Sequence, residues 1–111
     1  MKKTRLGEFE EMVLLVVMLL KDEAYGVLIK EELEQQLNER ISVGAIQSSL
    51  KRMEEKGFLE SQLGEATKKR GGKRKRIYTA TPYAHQIIQE INSIRQGMWH
   101  KISLDESFKT I

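Results

Sequence analysis

The sequence has 111 residues, with 19 Lys and Arg against 16 Asp and Glu, one Pro and no Cys. This length suits one domain, since domains usually have about 100–150 residues, and it argues against a two-lobed enzyme with a cleft between the lobes. Without Cys the chain has no disulfide framework, no thiolate nucleophile and no Cys-based zinc site. The lack of Cys is compatible with the cytoplasm, which is the location we expect.

The positive charges are concentrated in one segment. Residues 68–76 read KKRGGKRKR, with seven basic residues in nine positions and no acid. Without these seven, the 19 basic residues fall to 12 against 16 acidic ones, a net charge of −4. An acidic body that carries one strongly basic segment favours a polyanionic partner.

No segment is typical of a membrane span or an export signal. The longest apolar run, residues 12–20, has nine residues, whereas a helix needs roughly 20 to cross a bilayer. Acidic residues precede the run, and residues 21–23 (Lys-Asp-Glu) follow it where a signal peptide has small residues for cleavage. The run is therefore predicted to be a buried helix.

The first predicted helix contains this run. Phe9, Met12, Val13 and Val16 recur at the spacing of a helix, and the opposite side is apolar as well. A helix that is apolar all round is buried all round. In a domain this small, we expect such a helix to contact a second chain.

The second predicted helix covers Tyr25 to about Leu37 and has one apolar and one charged face. Gly26 lowers helix stability by ~1 kcal/mol relative to Ala, and we expect it to permit close approach by a neighbouring helix. Residues 38–40 are typical of a turn. Ile41 is predicted to be a single strand-like residue.

Ser42 is predicted to cap the third helix by accepting a hydrogen bond from an unpaired backbone N–H. Ile46, Leu50 and Met53 face inward, and Gly57 stands where a left-handed C-terminal cap belongs. On the opposite face small residues come first and cations follow, so this face can approach a phosphate-lined groove closely. The candidate contact residues of this helix are Ser42, Gly44, Gln47, Ser48, Lys51 and Arg52.

Two strands are predicted next, at residues 58–63 and 77–81, with a loop of about ten residues between them that carries the basic segment. The result is a hairpin with a long charged tip. Its candidate contact residues are Lys68, Lys69, Arg70, Lys73, Arg74, Lys75, Arg76 and Tyr78. For Tyr78 the sequence leaves open whether the side chain orients the hairpin or packs.

Thr81-Pro82 is typical of an N-cap and the first position of a helix. An apolar stripe then runs for about five turns, from Ala84 to Ile102. Because nothing downstream is large enough to cover it, we expect it to pack on the first or last helix of a second copy. The candidate interface residues are Phe9, Val13, Val16, Ile87, Ile91, Ile94 and Met98. Trp99 either stacks on a ligand near the dimer axis or packs at the interface.

The order of these elements predicts a mainly α fold with a small β-hairpin, a winged helix-turn-helix with an extra C-terminal dimerisation helix. We predict one domain over residues 1–111, with the core at about 6–80, the dimerisation helix at 82–102 and a frayed tail at 103–111. In this fold the third helix enters a DNA major groove about 12 Å wide, and the hairpin cations lie along flanking phosphates or in the minor groove.

No motif predicts an enzyme, a metal site or a cofactor. His85 and His100 lie fifteen residues apart with no Cys to join them. Gly71-Gly72-Lys73 lacks the upstream Gly and the following Ser or Thr of a phosphate-binding loop. We therefore expect no enzymatic activity and no cofactor.

Three motifs in order resemble the PadR family of bacterial transcription regulators. They are residues 6–11 (LGEFEE) with residues 24–26 (AYG), residues 44–46 (GAI) with residues 50–61 (LKRMEEKGFLES), and residues 71–78 (GGKRKRIY). The resemblance covers roughly residues 6–102. It implies a homodimer, formed through the first and last helices, that binds an inverted-repeat operator and usually represses. For some members it also implies a cavity between the subunits that takes flat aromatic or drug-like ligands.

The sequence departs from this family pattern at two places. The family commonly has Tyr-Pro in the third helix where this chain has Gln47-Ser48, and that Tyr typically meets DNA. Gln47 is predicted to replace it with an amide contact, for which adenine N6 and N7 are suitable partners. The junction after the hairpin also differs, with residues 78–84 (YTATPYA) in place of Tyr-x-Leu-Thr-x-x-Gly. An alternative stays open, a winged-helix module that contacts RNA or protein and has no operator.

Overall fold

The computed structural model describes residues 6–64 and 74–105, and residues 1–5, 65–73 and 106–111 lie outside this description. Its elements, in chain order, are α1 (Glu8–Leu20), a short 3-10 turn (Lys21–Glu23), α2 (Gly26–Leu37), α3 (Val43–Glu55), β1 (Leu59–Leu63), β2 (Arg76–Ala80) and α4 (Pro82–Ser103). The predicted order of elements and the mainly α fold class are confirmed.

The hydrophobic core surrounds α1, which packs against α2, α3 and β2. Val13, Leu14, Val16 and Val17 of this helix are almost completely buried. The other helices and the start of the hairpin complete the core with Ile29, Leu33, Ile46, Leu50, Met53 and Phe58. The predicted inward face of α3 is confirmed, and the core fixes α3 on the body of the subunit.

The hairpin pairs β1 with β2 in antiparallel register, from Leu59 opposite Ala80 to Leu63 opposite Arg76. A third short segment joins it, because Tyr25 forms an isolated bridge with Ile77.

The prediction of a strand-like residue at Ile41 is wrong. Its backbone N–H donates to the Glu34 carboxylate at 2.9 Å instead of to another strand. The strand-like residue is Tyr25, where the chain straightens before α2 and lies beside β2.

The cap of α3 and the start of α4 meet at one corner. Gly57 has a φ of +85°, which confirms the predicted left-handed cap, and the Phe58 N–H donates to the Met53 carbonyl at 2.8 Å. The Thr81 hydroxyl donates to the Gly57 carbonyl at 2.7 Å and accepts from the Ala84 N–H at 3.1 Å. Thr81 thus caps α4, as predicted, and ties it to the end of α3.

We expect Gly57→Ala to lower the free energy of unfolding by about 1–2 kcal/mol, because an L side chain is strained in this backbone conformation. Denaturation in urea measures the change. Gly44→Ala is the matched control, since Gly44 is helical and no heavy atom lies within 4 Å of the added Cβ. The control should be as stable as the unchanged protein or more stable by up to ~1 kcal/mol. Equal stabilities for Gly57→Ala and the unchanged protein would contradict the argument.

α4 begins on the core and then extends away from it. Ala84, Ile87 and Ile88 are buried, Ile91 is half-buried, and every residue from 92 to 105 is exposed. The C-terminal half of α4 therefore projects from the body of the subunit. In the described part of the chain no helix is both long and apolar enough to cross a membrane.

Candidate nucleic-acid interface

The outer face of α3 carries the predicted contact residues of this helix. The Ser42 Oγ accepts a hydrogen bond from the Ala45 N–H at 3.0 Å, which confirms the predicted N-cap. The other members are all exposed to solvent: Gly44, Gln47, Ser48, Lys51 and Arg52. The first turn of α3 contains no acid, so no side chain of that turn opposes the partial positive charge of the helix N-terminus. The face is electrostatically suited to an anionic surface.

A shallow hollow of about 130 Å³ lies between the N-terminal ends of α2 and α3. A Cβ on Gly26 would come within 3.1 Å of the Gln47 Nε2 atom. The missing side chain of Gly26 therefore permits the close approach that the sequence predicts, and the Gln47 amide lies against the start of α2.

Val43 is a candidate contact that sequence reasoning misses. It borders the same hollow and is 60% exposed. Its position continues the inward stripe of α3 towards the N-terminus, but the core ends before it. In the sequence, the feature that could have indicated this contact is a Val directly after the N-cap. Its methyl groups are suited to contact a thymine methyl.

Arg52 is bound within the subunit, although about half of its side chain is exposed. Its Nε atom donates to Glu10 Oε2 at 3.1 Å, and the Lys56 Nζ lies 3.4 Å from the other oxygen of the same carboxylate. The Gly7 N–H also donates to Glu10, at 3.0 Å. The start of α1 thus anchors the last turns of α3. Contact of Arg52 with DNA stays a prediction.

We expect acid to weaken this anchor. Burial opposes ionisation of Glu10, but hydrogen bonds from Gly7 and Arg52 and the charge of Lys56 outweigh it and lower the pKa of Glu10 below its ordinary value of 4.5. Since the folded state holds this proton more weakly than the unfolded state, the stabilisation is present above about pH 4.5 and is lost as the pH falls further.

Glu10→Gln should lower the free energy of unfolding by about 1–2 kcal/mol at neutral pH, and the difference should shrink below pH ~4. Chemical denaturation at a series of pH values tests this. The control is Glu32→Gln, which changes only an exposed bond from Gln36 within α2. A Glu10→Gln effect that is constant with pH would show that the carboxylate charge does not matter.

The hairpin is held to α3 by a chain of hydrogen bonds. Arg76 donates to the Ser61 Oγ at 3.0 Å, and Ser61 donates to a Glu54 carboxylate oxygen on α3 at 2.8 Å. Closer to the tip, the Arg74 Nε donates to the Gly64 carbonyl at 2.8 Å. The first two bonds tie the middle of the hairpin to the last turn of α3.

Tyr78 packs inside the subunit, with only 8% of its surface exposed. Its backbone N–H donates to the Ala24 carbonyl at 2.8 Å. Burial, and after it the charge of Glu54, raises the pKa of the Tyr78 hydroxyl above its ordinary value of 10.0, against the opposing charge of Arg76. Of the two interpretations that the sequence leaves open, the structure supports packing, so Tyr78 positions β2 and is not a surface contact.

The basic segment is described only in part. Arg74 and Arg76 are exposed and Lys75 is half-buried. The other candidate cations, Lys68, Lys69, Arg70 and Lys73, lie outside the described residues. The role of these seven in contacting phosphates stays a prediction.

The predicted interface residues fall into two groups. Val13, Val16 and Ile87 are at most 5% exposed within the single subunit. The interface assignment needs correction for these three, because the subunit's own helices and hairpin already enclose them. Phe9 and Ile91 are half-buried at the edge of the core.

An apolar surface remains uncovered on the outer sides of α1 and α4. Ile94 and Met98, both predicted interface residues, belong to it. Its described members are Leu15, Leu19, Ile94, Met98, Trp99 and Ile102, each at least 42% exposed. On α4 the helical spacing places Ile94, Met98 and Ile102 on one face, and exposed apolar faces of this kind are typical of a protein–protein contact.

A second buried carboxylate, which sequence reasoning also misses, joins α1 to α4. Both oxygens of Glu11 accept hydrogen bonds from the Arg95 guanidinium, one of them at 3.0 Å from Nη2. Only 8% of the Glu11 side chain is exposed. The sequence signal for Glu10 and Glu11 is two acids beside the buried positions of an apolar helix, since buried charges are usually paired.

A helix pair joined by a short turn, a capped third helix with an exposed polar face, and a hairpin bonded to that helix define a winged helix-turn-helix protein. A model of the transcriptional regulator PadR-like family matches residues 14–90. The chain therefore belongs to the PadR-like family, whose members are transcriptional regulators and not enzymes. The family resemblance seen in the sequence is confirmed.

Solved structures of similar fold include PadR-family regulators. The PadR-like regulator from Bacillus cereus strain ATCC 14579 has a TM-score of 0.68 at 19% identity, over 86% of this chain and 87% of that chain. The regulator from Eggerthella lenta DSM 2243 has a TM-score of 0.65 at 20% identity, over 86% of this chain and 83% of that chain. The Aeropyrum pernix ORC1 protein in complex with DNA has a TM-score of 0.60 at 19% identity, over 82% and 26%. These likenesses show the fold. Comparison with curated proteins finds no match.

Proposed function

We propose that this chain is a homodimeric repressor that acts in the cytoplasm and binds an inverted-repeat operator in double-stranded DNA. Membership of a family of transcriptional regulators supports the regulatory role. The observation that carries the DNA contact is the outer face of α3, which is exposed, acid-free in its first turn, capped by Ser42 and cationic at Lys51. The likeness of the fold to a protein solved in complex with DNA supports the same conclusion.

The size and composition of α3 suit the major groove. A helix with its side chains is about 10–12 Å across, and the groove is about 12 Å wide. Gly44 and Ser48 keep the exposed face narrow, so the backbone of α3 can come close to the base edges. Gln47 then turns its amide from Gly26 of α2 to adenine N6 and N7, and Lys51 lies towards a phosphate strand.

The basic segment supplies affinity that does not depend on base sequence. Each neutralised phosphate contributes about −0.9 to the slope of log affinity against log salt. If the two basic segments of a dimer engage three or four phosphates each, the slope is about −6. Such a response distinguishes DNA binding through this segment from a contact carried by uncharged residues.

The second copy covers the apolar surface of α1 and α4. This surface is continuous with the end of the core at Ile91 and includes Ile94 and Met98, which a single subunit leaves in water. Two copies related by a two-fold axis would each present α3 once, which matches the symmetry of an inverted repeat. The proposal includes relief of repression by a flat aromatic ligand at this interface, with the exposed Trp99 as the stacking residue.

Selection of bound duplexes from random DNA tests the proposal. We expect an inverted repeat to be enriched, with two half-sites whose spacing reflects a two-fold dimer. A salt series on the enriched duplex and on a scrambled one should then separate base readout from phosphate binding. Equal affinity for both at physiological salt, or preference for single strands, would overturn the proposal in favour of an RNA- or protein-binding module.

A further inference from the structure

Two consecutive carboxylates in the first turn of α1 bond to α3 and to α4. A dimeric regulator must place these two helices relative to each other. Glu10 bonds to Arg52 of α3 and to Lys56 at its C-terminal cap, and Glu11 bonds to Arg95 of α4. Each carboxylate side chain is only 8% exposed. The same turn of α1 therefore fixes the positions of both α3 and α4.

Arg95 lies where α4 leaves the core. On the same face, seven and four residues earlier, Ile88 is buried and Ile91 is half-buried. From residue 92 onward α4 is exposed, and there the Glu11–Arg95 pair reaches back to the body of the subunit. Two parallel bonds between a guanidinium and a carboxylate restrict direction as well as distance. The pair is thus placed to control the angle at which α4 projects.

We propose that the Glu11–Arg95 pair is a positioning device that sets the direction of α4 relative to α3, and through it the half-site spacing that the dimer accepts. This inference rests on the proposed function, because it requires two copies joined through α4. The spacing of the two recognition helices depends on the angle between each subunit body and its α4.

Small changes of this angle are large on the scale of DNA. By simple geometry, a tilt of about 10° at Arg95 moves a point ~20 Å away by ~3.5 Å, and ~20 Å is on the order of the length of a 13-residue helix. The rise per base pair in DNA is about 3.4 Å. A loss of angular control of this size therefore corresponds to one base pair in the spacing of the half-sites.

The test measures binding to a series of duplexes built from the selected operator, with the centre lengthened or shortened by one or two base pairs. The variants are Glu11→Gln, Arg95→Gln and the double change. We expect each variant to remain a dimer, while its preference for the best spacing over the neighbouring spacings falls about tenfold or its optimum moves by one base pair. The double variant should resemble the single ones, because all three remove the same pair.

Two further variants make the result decisive. Glu32→Gln removes a carboxylate from a bond within α2 and should keep the spacing preference of the unchanged protein. Arg95→Lys keeps the positive charge without the two-bond geometry, and it should broaden the preference even if Glu11→Gln fails to fold. Unchanged spacing in Arg95→Lys and in the folded neutral variants would overturn the positioning role and leave the proposed function intact. A monomeric unchanged protein, or one without an operator, would instead overturn the proposed function.

Discussion

Replacement of Lys68, Lys69, Arg70 and Lys73 by Gln should weaken binding to every duplex by a similar factor of about 10²–10³ at physiological salt. Eight positive charges are lost from a dimer, and if they provide about half of its phosphate contacts, the salt slope should fall from about −6 to about −3. Base readout by α3 is unaffected, so the affinity ratio between operator and scrambled duplex should stay the same. These four positions are chosen because Arg74 and Arg76 also bond to Gly64 and Ser61 within the hairpin.

Equilibrium binding over a range of salt concentrations measures both quantities. The control is Lys21→Gln with Lys101→Gln, two exposed cations outside the basic segment. Per charge removed, the control should change the slope much less. An altered affinity ratio in the fourfold variant would show that the basic segment reads sequence, and an unchanged slope would show that it does not meet phosphates.

The features that could be predicted from the sequence are those with local causes. Ser42 and Thr81 were predictable caps because a hydroxyl before a helix satisfies a backbone N–H a few residues away. Gly57 was predictable because a left-handed residue that ends a helix is usually Gly, which lacks a Cβ and adopts this conformation at the lowest cost. The inward stripe of α3 follows from the helical period, and the residues outside this stripe form the outer face of the helix.

The features that the sequence did not reveal depend on contacts between distant segments. Glu10 and Arg52 are 42 residues apart, and Glu11 and Arg95 are 84 apart, so no local rule pairs them. Ile41 and Tyr25 are both plausible strand residues, and only the position of β2 decides which one pairs. The sequence predicts that Val13 is buried, but the hydrophobic pattern of one helix does not show whether the subunit itself or a second copy buries it.

The arrangement of charges explains how an acidic body serves a DNA-binding protein. The two buried acids of α1 are used within the subunit, where they neutralise Arg52, Lys56 and Arg95. In the proposed complex the main contacts with phosphates are left to the basic segment and to Lys51, for which the described hydrogen bonds show no partner within the subunit. We expect the acidic remainder of the surface to oppose contact with DNA at other faces and so to favour binding in one orientation.

A double change of Ile94 and Met98 to Glu should convert the dimer to a monomer at micromolar concentration without unfolding it. Both side chains are more than half exposed in the subunit, so the charges meet water in the monomer. In the proposed dimer they would be buried without partners, at a cost of about 3–5 kcal/mol for each such charge, which raises the dissociation constant at least ~10²-fold.

Sedimentation equilibrium gives the association state, and thermal unfolding reports whether the monomer stays folded. Gln96→Glu is the control, because it adds one negative charge, against two in the double variant, to an exposed residue on the opposite side of α4. The double variant should also lose most of its affinity for the inverted repeat, since each α3 then binds one half-site alone. If the variant stays dimeric, a surface other than the apolar face of α4 joins the two copies. In that case α4 does not set the spacing of the recognition helices.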